Sequence, residues 1–196
     1  MTMQLEDKLE QKSKSFKILW IIAICVVVFL VSYLAGSYLY SPFYVLEESM
    51  EPTLYEHDIG IKTKIIFGIQ RFDIVLVDDG SEYNLIKRVI GLPGENVRYE
   101  GTTLYINGEV IAEDFIDESA KAYTCYSSSY GICSSAGLDL DENSYFVMGD
   151  NRAVSIDSRA LRGFQYTKNQ IVARAFFLYG ESADGKNFKF YFPKFL

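Results

Sequence analysis

Ile18 to Tyr40 is a run of 23 residues without a charged side chain. At 1.5 Å of rise per residue, about 20 helical residues cross the hydrocarbon core of a bilayer. The run therefore reads as one transmembrane helix. A cleavable signal peptide has a shorter apolar core, about 7–15 residues, although Ala35, Gly36 and Ser37 offer small side chains for cleavage. Lys8, Lys12, Lys14 and Lys17 precede the run, and the first lysine or arginine after it is Lys62. Positive charge is retained on the cytoplasmic side, so the expectation is a cytoplasmic 1–17, an anchor at 18–40 and an extracytoplasmic body at 41–196. Tyr38, Tyr40, Phe43 and Tyr44 are expected at the outer interface. Ser49 follows Tyr40 by nine residues, so even extended chain keeps it within about 30 Å of the end of the span.

The body reads as mainly β and mostly antiparallel. Asp58–Ile66, Phe72–Val77, Tyr83–Ile90, Tyr145–Met148 and Ile171–Tyr179 are rich in β-branched and aromatic residues. Gly91-Leu92-Pro93-Gly94 marks a turn, and Asn107-Gly108 between apolar arms predicts a hairpin within Thr103–Ile111. Phe188, Phe190 and Phe192 alternate with Lys189 and Tyr191 in a last strand. Residues 113–143 are polar, serine-rich and the least regular, which suggests a surface insertion. Ile65-Ile66-Phe67-Gly68-Ile69 reads either as a strand end in the core or as an apolar loop that dips into the bilayer.

Charge and cysteine usage exclude several functions. The chain carries a net charge of -7, and residues 41–196 carry -8. An acidic body is ill suited to a nucleic-acid backbone. Of three cysteines, Cys25 lies in the apolar run, while Cys125 and Cys133 bracket a polar loop. Outside the cell those two are either bridged or free thiols. With one histidine and no metal-ligand spacing, no metal site is expected.

The chemistry-bearing residues fall in three stretches. Glu48-Ser49-Met50-Glu51-Pro52-Thr53-Leu54 places a serine just past the anchor. A serine hydroxyl needs a base, and His57 sits in a polar turn that reads as exposed. The alternative is a neutral lysine. In water about one lysine in 2,500 is neutral at pH 7, but apolar burial lowers the pKa. Lys87, between Leu85-Ile86 and Val89-Ile90, has such surroundings beyond its neighbour Arg88. Gly149-Asp150-Asn151-Arg152-Ala153-Val154-Ser155-Ile156-Asp157-Ser158-Arg159 is a polar cluster, in which Asp157 and Arg159 suit a charge-assisted pair.

These stretches, with 71–77, resemble the bacterial type I signal peptidases, which cut signal peptides from exported preproteins by serine–lysine chemistry. The resemblance covers 49–54, 71–77, 87–95 and 149–159. It implies an antiparallel β-sheet catalytic domain with a variable insertion at 99–143, and no cofactor. It implies Ser49 as nucleophile, with its N–H donating to the oxyanion, and Lys87 as general base. Ser155 would orient Lys87, Asp157 and Arg159 would support the site, and Met50 would pack near the substrate. The implied partners are signal peptides and membrane lipid, with the protein in the cell membrane. Two positions depart from the family pattern. Glu47 stands where Gly or Ser commonly helps to form the oxyanion hole, and Phe72 stands where Gly is frequent. Glu47 keeps open a second expectation, a scaffold that binds precursors without cutting them.

Overall fold

A computed structural model describes residues 2–125, 131–159, 165–181 and 189–196, with side chains described for 16–125, 131–159, 165–181 and 195–196. It divides into two compact units, Met1–Tyr40 and Ser41–Leu196. The first is a single helix, α1 (Thr2–Leu39). Its Phe16–Leu39 portion, with mean hydropathy 2.9, is long and apolar enough to cross a membrane.

The second unit holds two antiparallel sheets. The strands in chain order are β1 (Tyr40–Tyr44), β2 (Asp58–Thr63), β3 (Ile74–Val77), β4 (Leu85–Gly91), β5 (Asn96–Glu100) and β6 (Thr103–Ile106). They continue with β7 (Glu109–Ile111), β8 (Leu138–Asp139), β9 (Ser144–Met148), β10 (Tyr166–Thr167), β11 (Ile171–Glu181) and β12 (Lys189–Phe195). The larger sheet runs β1-β2-β11-β3-β4-β9-β10, with β12 beside β11. The smaller runs β7-β6-β5-β8. The mainly β expectation therefore holds.

Local sequence explains the central strands. β3 is Ile-Val-Leu-Val and is buried at every position, as β-branched and aliphatic residues are in a strand covered on both faces. β11 alternates buried and half-buried residues over most of its length, the pattern of a strand with one covered face. Asn107 (φ 52°) and Gly108 (φ 85°) are both left-handed and turn β6 tightly into β7, as an Asn-Gly hairpin requires.

The smaller sheet packs on the larger through one apolar cluster. Ile90, Phe146 and Met148 of the larger sheet meet Val97, Tyr99, Leu104 and Ile106 of the smaller, with Ile132 and Leu140. Each large aliphatic or aromatic side chain buried there contributes about 1.5–3 kcal/mol. Within 113–143, which the sequence presents as irregular, β8 pairs with β5, and Ile132 and Leu140 join this core. Cys125 and Cys133 are joined in a disulfide.

Two expectations are corrected, and a third lies outside what is described. Phe43 is not an interfacial ring: it is buried in the core with Val45, Met50 and Leu54, because β1 extends the larger sheet. Residues 65–69 are not a strand end: β2 stops at Thr63 and a loop follows. In that loop Ile69 is buried while Phe67 is 82% exposed. The Phe188, Phe190 and Phe192 alternation lies outside the described residues and side chains, although β12 covers its strand.

Candidate active site

Ser49 lies in a single 3₁₀ turn, Glu48–Met50. The turn is pinned from below and from the side. Met50 is fully buried beside Leu54, Phe43 and Val45, and its carbonyl accepts from the N–H groups of Thr53 (2.9 Å) and Leu54 (3.0 Å). Asn151 N–H donates to the Ser49 carbonyl at 3.1 Å, and Asn151 Nδ2 donates to the Glu48 carbonyl at 3.2 Å. The serine is held as the knuckle of a clamped turn, not as part of a mobile loop.

Lys87 comes from β4, where it pairs with Val75 of β3. It is 1% exposed, and its Nζ lies 2.7 Å from Ser49 Oγ. Burial pushes the Lys87 pKa below the ordinary lysine value; the carboxylates of Asp157, Glu47 and Asp79 oppose that shift, and the Arg159 guanidinium adds to it. Two residues 38 positions apart are thus joined through side-chain atoms alone.

The 149–159 stretch forms the wall around this pair. Asp157 is buried, and its Oδ2 accepts from the Gly149 N–H at 3.0 Å. Arg159 grips the same carboxylate in a fork, Nε to Oδ1 at 2.9 Å and Nη2 to Oδ2 at 2.9 Å. Burial alone would raise the Asp157 pKa, but the paired Arg159 holds it below the usual carboxylate range. Gly149 is required by close approach. A Cβ there would run into Ser155 Oγ and the Ser49 carbonyl oxygen. Ser155 Oγ is buried and has no hydrogen-bond partner among the described residues. The structure therefore brings Ser155 to the serine turn without joining it to Lys87.

Behind the wall, two further networks appear that the sequence does not announce. Arg88 donates through Nε to Asp150 Oδ1 (2.8 Å) and through Nη2 to Asp150 Oδ2 (2.5 Å). It also reaches the Phe72 carbonyl at 2.9 Å and stacks over the Phe115 ring at 4.1 Å. Thr53 Oγ1 donates to Asp150 Oδ2 at 2.5 Å, so the serine motif, β4 and the polar cluster share one carboxylate. Phe72 adopts φ 72°, a left-handed conformation that favours glycine, so the side chain here is held at a backbone cost that glycine would not incur. Arg152 donates to Glu113 Oε1 (2.5 Å), Thr124 Oγ1 (2.9 Å) and the Gly149 carbonyl (3.1 Å). An arginine beside a lysine in an apolar strand signals that an acid is needed. Nothing local to Glu113 or Thr124 signals their use.

A cleft of about 470 Å³ opens beside Ser49, lined by Tyr44, Leu46, Glu47, Met50, Leu85 and Ile86 among others. His57, with φ 74°, is exposed in a turn. Among the described residues no group of three or more His, Cys, Asp or Glu side chains could hold a metal ion.

Comparison with known proteins follows the same residues. Residues 17–180 match the family described as signal peptidase, peptidase S26. A signal peptidase I of Bacillus amyloliquefaciens is 34% identical over 180 residues, spanning 89% of this chain and 95% of that protein. Signal peptidase I S of Bacillus subtilis (strain 168) is 34% identical over 176 residues, spanning 88% and 94%. A solved signal peptidase I from Enterococcus faecalis V583 is 35% identical, spanning 54% of this chain and 95% of that one, at a TM-score of 0.42, too low to carry the fold.

Proposed function

The chain belongs to the signal peptidase family, peptidase S26, and on that premise we propose that Ser49 and Lys87 are the nucleophile and the general base of its reaction. It is a membrane-anchored peptidase that removes signal peptides from preproteins. The observation that carries the catalytic assignment is the 2.7 Å contact between Lys87 Nζ and Ser49 Oγ, with the lysine buried.

The signal peptide lies extended in the cleft, between segment 44–47 and segment 81–86, with small side chains at the first and third positions before the cut. Ser49 Oγ attacks the scissile carbonyl carbon while neutral Lys87 takes the hydroxyl proton. The Ser49 N–H donates to the oxyanion. Collapse breaks the C–N bond, and Lys87 hands its proton to the leaving amine. Water then attacks the ester, again losing a proton to Lys87, and the freed serine recovers its own. Asp157 and Arg159 act as a rigid brace, and Met50 shapes the cleft floor. The four lysines before the span favour a cytoplasmic N-terminus and an extracytoplasmic body.

A scaffold that binds without cutting is the weaker reading, because it has no need of a buried lysine held on a serine hydroxyl. The test is cleavage of a preprotein with an Ala-x-Ala site, in detergent or lipid. The wild type should cut it, and Ser49→Ala and Lys87→Ala should not. Undiminished cutting by either variant would reject the dyad.

A further inference from the structure

Glu47 places a carboxylate where it works against this chemistry. It precedes the serine turn with extended backbone (φ −141°, ψ 158°), is exposed, and lines the cleft with Ser49. Two residues of extended chain span about 7 Å at most, so Glu47 and Ser49 stand close together on the same cleft wall. Among the described residues, none makes a hydrogen bond or ion pair with it. Among the described residues, the one other charged side chain lining the cleft is Glu82, and no lysine or arginine lines it.

Two steps suffer from that charge. The groups acting on Lys87 are Asp157 and Arg159 from the polar cluster, Asp79 after β3, and Glu47. Glu47 pulls toward the protonated amine, the form that cannot act as base. A developing oxyanion at Ser49 meets like charge as well. A cation set against Glu47 relieves both effects. Among the described residues no such cation lines the cleft, and an acidic body draws cationic peptides toward it.

We propose that Glu47 is a specificity-determining residue, which selects signal peptides carrying a lysine or arginine within two residues of the scissile bond. With small side chains at the first and third positions before the cut, the basic residue falls at the second position before it or at the first or second after it. This rests on Ser49 and Lys87 acting as described above.

The experiment uses the full chain in detergent with a matched set of Ala-x-Ala peptides, carrying Lys, Ala or Glu at each of those three positions. The enzymes are wild type, Glu47→Gln, Glu82→Gln and Ser49→Ala. In the wild type, kcat/KM should rank Lys over Ala over Glu at one or more positions. The Lys-to-Ala ratio should be about fivefold, the upper range for a partly exposed charge pair, and should shrink in high salt. In Glu47→Gln the ratio should fall to about one, the Ala peptide should be cut faster than by wild type, and the acid limb of the pH profile should move to lower pH. Glu82→Gln should retain a preference for Lys. A ratio near one in the wild type, or one that Glu47→Gln leaves unchanged, overturns the proposal. Cleavage that survives in Ser49→Ala overturns the nucleophile assignment instead, and the premise with it.

Discussion

Lys87 and Arg88 are neighbours on β4, both buried, and the two regions they serve treat a buried cation in opposite ways. Behind the cleft, each guanidinium has a carboxylate: Arg88 with Asp150, Arg152 with Glu113, Arg159 with Asp157. At the cleft floor, Lys87 is given a hydroxyl. Asp157 is near enough to act on it, but both of its oxygens are engaged by Arg159 and by Gly149. The difference shows how one strand can carry a paired cation and an unpaired one side by side. An arginine stays charged in any protein setting and needs a partner. A lysine denied a carboxylate partner has its pKa pushed down by burial.

The largest expected effect separates the two regions outright. Lys87→Met should lower cleavage by at least ~10⁴-fold, the scale for loss of a catalytic group, while raising the thermal midpoint, because a desolvated amine is replaced by an apolar chain of similar length. A fall in both activity and midpoint would place Lys87 with the brace. Arg152→Met should lower the midpoint, and activity with it. It leaves the Glu113 carboxylate buried without its cation, at a cost of about 3–5 kcal/mol read from urea unfolding. Arg152→Met combined with Glu113→Leu should recover much of that loss.

Opening the Cys125–Cys133 disulfide should be milder, about 2–3 kcal/mol for a loop of eight residues. Calorimetry with and without reductant measures it. The bridge adjoins Thr124, which receives Arg152, so kcat should fall with stability. A kcat that ignores reduction would uncouple the insertion from the brace.

The smallest effect is a slope in pH. Folded Lys87 titrates below an unfolded lysine. Between those two values the unfolded chain holds a proton that the folded chain lacks, so stability rises with pH, by at most ~1.4 kcal/mol per unit. Cleavage should rise with pH through the same lowered value and plateau above it. Unfolding free energy measured across pH should lose that slope in Lys87→Met.

The apolar run at 18–40, the β-branched strands, the Asn107-Gly108 turn, Ser49 and the burial of Lys87 are all legible in the sequence. Each is a local signal, carried by hydrophobic period, turn chemistry or a charged residue set among apolar neighbours. Membership of the family is legible for the same reason, because its motifs are short and contiguous. Glu113, Thr124 and Tyr99 are not legible, since their partner Arg152 lies 53, 39 and 28 residues away by chain from Tyr99, Glu113 and Thr124. Phe43 misleads because an aromatic after an apolar helix fits an interface as well as a core, and only the pairing of β1 with the sheet decides between them. What tertiary structure alone decided is which carboxylates serve Arg88 and Arg152, namely Asp150 and Glu113. That choice depends on distances between strands far apart in sequence, to which no local pattern is sensitive.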